Sequence, residues 1–275
     1  MSNSLSMQIY YFSGTGNSLH VAKELNRRFP DATLVPIISA LHSDKIETKA
    51  EVVGLVFPIH AFTMPFPVRQ FLMRADLRSA RYVFALTTRL CSDKVFSDMD
   101  NILAGRGKSL DACFPVEMPC NYIPLFDPPS QEEITRMESA LQRRLDEVQE
   151  IIANRRKSRE RDDAPTFILS RILLPVVRLY YQELRLPDME RSFYADPQCT
   201  GCGLCEKICL SGKIVMKDKR PEWTDRVRCT YCFACLNYCP VQAIQIKGRK
   251  TVNRGRYHHP EVNAKDIADE KRLCE

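Results

Sequence analysis

Along the first half of the chain, short unbroken apolar runs alternate with segments in which apolar residues recur every three or four positions. Met7 to Phe12 is the first such run and predicts a strand, and Leu19 to Phe29 follows with helical spacing. Thr33 to Ile37, Glu51 to Pro58, Arg81 to Thr88 and Ala112 to Met118 predict further strands, with helices over Pro67 to Arg74 and Asp98 to Ala104. This alternation predicts an α/β domain with a doubly wound, parallel, five-stranded sheet. In such a sheet ligands lie beyond the carboxyl ends of the strands, so the loops there are where chemistry is expected. The charged stretch Ser130 to Ser158 repeats Ile134, Met137, Leu141, Leu145 and Val148 at helical spacing. It predicts an amphipathic helix whose Leu145, Val148 and Ile152 cover the sheet while Arg143, Arg144, Arg155, Arg156 and Lys157 face water or a partner. Arg159 to Ala164 reads as an exposed linker and Phe167 to Leu184 as a second helix. Arg171 and Arg178 interrupt its apolar stretch, which suits docking better than a membrane span.

Beyond residue 193 the pattern gives way to cysteines. Eight of the twelve fall into Cys199-x-x-Cys202-x-x-Cys205-x-x-x-Cys209 and Cys229-x-x-Cys232-x-x-Cys235-x-x-x-Cys239-Pro240. Three thiolates at every third position can wrap three irons of a cubane, and in doubled runs the fourth ligand crosses over. Cys199, Cys202, Cys205 and Cys239 are then expected to hold one [4Fe-4S] cluster, and Cys229, Cys232, Cys235 and Cys209 the other. Zinc would take four ligands and leave the third and fourth cysteine of each run unexplained. A disulfide framework is disfavoured because the N-terminal residues do not read as a secretory leader, and reduced thiols suit the cytoplasm. Residues 193 to 246 resemble the bacterial-type 2[4Fe-4S] ferredoxins, which implies a small α+β fold around the clusters. Leu210 stands where that family has proline after the first run, which removes a fixed φ but no ligand. Trp223, the lone tryptophan, is expected in the core or shielding a cluster.

Between the first strand and helix lies Ser13-Gly14-Thr15-Gly16-Asn17-Ser18. Glycines let such a loop expose its N–H groups at a helix N-terminus, and the hydroxyls and amide add neutral donors, a setting for a phosphate monoester. A Walker loop is excluded because the next lysine is Lys23, and a dinucleotide fingerprint because Leu19 stands at its third glycine. The loop resembles the FMN-phosphate loop of flavodoxins, and an emptied flavodoxin scaffold is the alternative. On the FMN reading, Pro58 to Phe66 and Thr87 to Asp93 flank the isoalloxazine ring, with Pro58, His60, Phe62, Met64 and Thr88 near it and Arg89 facing charge near its N1. Cys113 reads as core, and Cys91 and Cys120 as core or flavin-side residues. His258, His259 and Cys274 read as unstructured surface.

The whole arrangement resembles the EFR1-like ferredoxins, in which a flavodoxin-like domain precedes a 2[4Fe-4S] ferredoxin domain. The resemblance is carried by Phe12 to Ser18, the Pro58 to Pro67 loop, Met118-Pro119-Cys120-Asn121-Tyr122 and the cysteine runs. Thr88 to Asp93 lacks the aromatic-glycine pair of related proteins. The implied domains are 1–158, flavodoxin-like and FMN-binding; 159–192, a helical linker; 193–246, the ferredoxin; and 247–275, a basic polar tail. A mass of 31.7 kDa leaves ample room for the first of these beside the small ferredoxin. The net charge of +6 is concentrated in the linker region and the tail; solvated surface is the commonest reading of such runs, and as a binding patch it suits an acidic electron-transfer partner more than nucleic acid, for which no motif is present. The expectation is an iron-sulfur flavoprotein relaying electrons to a redox partner protein or a small-molecule acceptor. The alternative is a ferredoxin fused to a flavin-free scaffold that docks a partner.

Overall fold

The computed structural model describes residues 6–89, 95–160, 176, 179, 180 and 186–272. Strands β1 (Met7–Tyr11), β2 (Ala32–Pro36), β3 (Val52–Pro58), β4 (Tyr82–Arg89), β5 (Ala112–Glu117) and β6 (Ser158–Arg159) form one sheet in the order β2-β1-β3-β4-β5-β6. All its neighbours are parallel. The first five strands follow the flavodoxin-like order, with the switch point between β1 and β3. β3 and β4 are buried along nearly their whole length, as a central parallel strand covered on both faces must be. Gly54 in β3 is required by the Phe84 ring, since a Cβ there would lie 2.3 Å from its Cζ.

Helices α1 (Asn17–Arg28), α2 (Ile37–Leu41), α3 (Phe66–Arg74), α4 (Val95–Ala104) and α5 (Gln131–Ala153) accompany the sheet. Ser130 and Glu133 close a capping box that starts α5, and its Leu141, Leu145, Val148 and Ile152 are buried. Arg28 ties α1 to α5 through Asp146 at 2.8 Å and Gln142 Oε1 at 2.9 Å.

The expected elements change in detail. The second strand stops at Pro36, and Ile37 opens α2 instead of closing the strand, because Pro36 serves as its extended N-cap. The fourth helix starts at Val95, not Asp98. The sheet has six strands and not five. The long helix was expected to reach Ser158, but Asn154 caps it and Arg155, at φ 48°, reverses the chain. Ser158 and Arg159 then pair with Ala112 and Cys113. Arg159 also bonds Asp100 and the Leu110 carbonyl, so it belongs to the sheet and not to a linker. Residues 161–164 of the expected linker and most of the expected Phe167 to Leu184 helix lie outside the described residues, as do Cys91 and Cys274.

The cysteine-rich half contains two antiparallel pairs: β7 (Phe193–Ala195) with β10 (Ile244–Ile246), and β8 (Ile214–Lys217) with β9 (Arg220–Trp223). Phe193, Tyr231, Phe233, Leu236, Ile244 and Ile246 form its own core, against which Trp223 packs, stacked on Phe193. Ile208, Leu210, Ala234 and Tyr238 belong instead to the main α/β core. Leu210 is thus an apolar residue of the junction between the two halves, which accounts for a leucine at this position.

The tail is not unstructured. Tyr257, His259, Val262, Ile267 and Glu270 are buried, and Asn263 with Asp266 caps a helix over Ala264–Asp269. Its apolar positions are too sparse for periodicity to reveal. Arg256 donates to the carbonyls of Leu236, Thr251, Arg254 and Ile244, and Arg254 pairs with Asp127, so these two cations brace the tail.

Candidate functional site

The two cysteine runs adopt one backbone twice. Gly201 and Gly203 take φ of 69° and 75°, and short helices follow at Leu204–Lys207 and Ala234–Asn237. At the equivalent places in the second run Tyr231 and Phe233 take φ of 53° and 57°. Left-handed backbone costs a residue with a Cβ about 1 kcal/mol, so an aromatic at both positions is a strained choice. Burial pushes the Cys205 thiol up to about 11, with Cys202, Cys199 and Cys239 adding to the rise. Burial likewise raises Cys235, whose thiol neighbours begin with Cys209, Cys232 and Cys229. Cys239 therefore sits with the first run and Cys209 with the second. Thiols crowded together and partly buried are costly as thiolates unless a metal compensates their charge. Cys202 is exposed, Cys209 is buried and the other six are partly buried.

Two residues that the sequence did not single out shape the second run. The Lys213 ammonium is buried and meets Glu190 at 2.7 Å and the Thr224 and Val227 carbonyls at 2.6 and 3.1 Å. Glu190 accepts from the Cys229 N–H at 3.0 Å and the Tyr231 hydroxyl at 2.8 Å. Burial acts to raise the Glu190 carboxyl, but Lys213, Tyr231 and Cys229 outweigh it and hold it below its ordinary range.

The glycine loop is enclosed by the rest of the chain. A Cβ on Gly14 would lie 2.2 Å from the Cys232 carbonyl oxygen, and one on Gly16 would lie 2.8 Å from Val262 Cβ and 2.9 Å from His259 Cβ. The glycines serve close approach as much as tight turning. The side chains expected as phosphate donors are engaged elsewhere. Ser13 Oγ accepts from the Gly16 N–H, Ser18 Oγ meets Thr88 Oγ1 at 2.7 Å, and Thr15 Oγ1 meets Asn121. Asn17 donates to the Pro119 carbonyl and accepts from the Tyr257 hydroxyl. The N–H groups of Gly14, Thr15, Asn17 and Ser18 have no acceptor among the described residues. The loop's remaining capacity for an anion is that of its backbone donors at the start of α1. On its outer side the Ser13 N–H donates to the fully buried carboxyl of Glu270, which burial pushes well above its ordinary range.

Beside Asn17 a cavity of about 280 Å³ opens at the carboxyl ends of β3, β4 and β5. The structure brings Pro58, His60, Phe62, Thr88 and Arg89 together around it. Met64 turns into the main core and is not a wall residue, because the chain reverses at Ala61 and Phe62, with φ of 47° and 62°. His60 and Thr63 exchange backbone bonds of 2.9 and 3.0 Å across that turn. Met118 to Tyr122 contribute a further wall, with Cys120 in it, while Cys113 is buried in β5. Leu90 to Asp93 of the expected ring loop lie outside the described residues. The opposite wall comes from the cysteine-rich half: Tyr231, Cys232 and Phe233. His60 Nδ1 and Thr87 Oγ1 are buried without a partner. Burial holds His60 neutral, its pKa lowered to about 4, with a hydrogen bond to the Thr230 backbone opposing the shift. An apolar cavity lined by His60, whose Nδ1 has no partner, next to a loop whose backbone N–H groups lack acceptors among the described residues, fits a planar ring carrying an enclosed phosphate.

The histidines of the tail are placed differently from the surface position expected. His259 stacks on His20 of α1 at 3.8 Å, and its N–H donates to the Thr15 carbonyl at 2.8 Å. His20 lies between Glu138 of α5 and Glu261, at 3.1 and 3.4 Å. Burial lowers His259 to about 4, with His20 adding and Glu138 opposing.

A family model described as a 4Fe-4S dicluster domain matches residues 198–244. The chain therefore joins a ferredoxin-type 4Fe-4S domain to a flavodoxin-like α/β sheet. A component of the ion-translocating oxidoreductase complex of Methanosarcina acetivorans is 41% identical over 49 residues, 18% of this chain and 18% of that protein. The chain matches less than a fifth of that relative's length. Similar solved structures include a flavodoxin from the domain Archaea, 12% identical with a TM-score of 0.35, covering 52% of this chain and 99% of that one. Another is the rubredoxin oxygen:oxidoreductase of Desulfovibrio gigas, 17% identical with a TM-score of 0.33, covering 54% of this chain and 37% of that one. At these scores the assignment of fold rests on the strand order. No helix among the described residues is long and apolar enough to cross a membrane.

Proposed function

We propose that the protein is an iron-sulfur flavoprotein that relays electrons between two [4Fe-4S] clusters and FMN, as an electron-transfer protein or small reductase. The resemblance to the EFR1-like ferredoxins points the same way. The observation that carries the reading is the cavity whose one wall is the strand-end loops and whose other wall is Tyr231, Cys232 and Phe233. Clusters pass single electrons, and a flavin exchanges one or two. Cys199, Cys202, Cys205 and Cys239 would hold one cluster, and Cys229, Cys232, Cys235 and Cys209 the other. The backbone donors of the Ser13 to Ser18 loop would hold the phosphate, and Pro58, His60, Phe62, Thr88 and Arg89 would frame the ring. Arg89 places a permanent cation at the rim, and the contact of Gly14 with Cys232 fixes the spacing between loop and cysteine run. The exposure of Cys202 favours the first run as the point where a redox partner protein or small acceptor meets the chain.

Glu270 at the Ser13 N–H, with the tail over Gly16, favours a second reading in which the α/β half is a flavin-free docking scaffold. Anaerobic purification with a visible spectrum and a heat-release assay separates the two. About eight irons per chain together with released flavin are expected of the flavoprotein. Full iron without flavin would favour the scaffold.

A further inference from the structure

We infer that Tyr231 and Phe233 are ring-binding residues, so that the cysteine-rich half completes the flavin site of the α/β half. The inference rests on the FMN reading above. The two cysteine runs share one backbone, and the first meets its two left-handed positions with Gly201 and Gly203. Glycine would satisfy the same geometry at 231 and 233, where the chain instead places two aromatic rings against their conformational preference. Cluster-loop geometry alone does not explain that choice, because the first run achieves it without side chains.

What distinguishes the second run is its position. Gly14 packs directly on Cys232, and the residues on either side of Cys232 are walls of the cavity; no residue of the first run is. Both rings have partners that fix them, Glu190 outside the cavity wall and Tyr122 within it. The Tyr231 hydroxyl donates to Glu190 at 2.8 Å, and Phe233 meets the edge of Tyr122 at 5.4 Å. Phe62, itself in left-handed backbone, lines the same cavity. A mostly apolar space of about 280 Å³ lined by Phe62, Tyr122, Tyr231 and Phe233 suits a planar, fused-ring ligand. Cys232 lies between the two rings in sequence, so the second run, and not the first, is the one adjoining that ligand.

The test is FMN affinity, measured by equilibrium dialysis on the full chain after flavin removal and cluster reconstitution. Phe233→Leu and, separately, Tyr231→Leu keep an apolar side chain but lose the ring. Each is expected to weaken FMN at least about ten-fold with iron and sulfide content unchanged. Phe193→Leu serves as the packing control, because Phe193 touches Phe233 at 6.2 Å between ring centres but does not line the cavity. Because it acts only through packing, it is expected to weaken FMN less than either ring-lining variant does. Equal FMN affinity in either iron-replete Leu variant, or an equal loss in Phe193→Leu, would overturn the inference alone. Failure of the unsubstituted, cluster-loaded chain to take up FMN would overturn the proposed function as well.

Discussion

Lys213 and Glu190 form a buried ion pair that holds the Cys229 N–H and the Tyr231 hydroxyl of the second cysteine run. Removing one partner of a buried ion pair leaves the other charge uncompensated, a loss of about 3 kcal/mol. Lys213→Met is therefore expected to lower stability by about that amount in urea titration, and to release the second cluster first, with iron falling toward about half. Full iron with unchanged stability would contradict this role. Neither residue was legible beforehand, because the pairing joins positions 23 residues apart that carry no shared motif. The two cysteine runs stood out in the sequence because their spacing is fixed and repeated, and the 4Fe-4S dicluster match covers them from residue 198 on. That Pro58, His60, Phe62, Thr88 and Arg89 meet around one cavity was legible from the rule that pockets form at strand ends, which needs only the strand boundaries. Tyr231 and Phe233 were not, since left-handed backbone at an aromatic residue leaves no trace in sequence.

Among the elements, the sheet and α5 were readable because burial imposes period on long segments. The sixth strand was too short for that, and the tail too irregular. Tail docking has a pH dependence whose sign follows from His259. This residue is buried with a pKa lowered to about 4, facing His20 from α1, Glu138 from α5, and His258 and Glu261 from its own segment. Unfolded histidine titrates near 6.5, so between about 6.5 and 4 the undocked state binds the extra proton. Docking is complete above that window and weakens as pH falls through it. Protection of residues 257–272, taken relative to the intrinsic exchange rate at each pH, is expected to fall as pH drops through that window while β3 and β4 stay protected, and His259→Gln is expected to flatten the response. Acceleration of the same size in His259→Gln would assign the effect to another group.

At the scale of the whole molecule, the two halves share one core through Ile208, Leu210, Ala234 and Tyr238, and they meet without clearance at Gly14 and Cys232. A methyl group at Gly14 collides with backbone, which cannot swing aside, so Gly14→Ala is expected to cost about 1 to 3 kcal/mol and to lower the thermal midpoint. A midpoint unchanged in that variant would mean that the halves are not held as described. The central claim is that one chain stores electrons in two clusters and a flavin. Its most direct test is an anaerobic reductive titration, counting electrons per chain against iron content. About four electrons per chain are expected, one for each cluster and two for the flavin. An end point at about two electrons in a fully iron-loaded chain would contradict the claim.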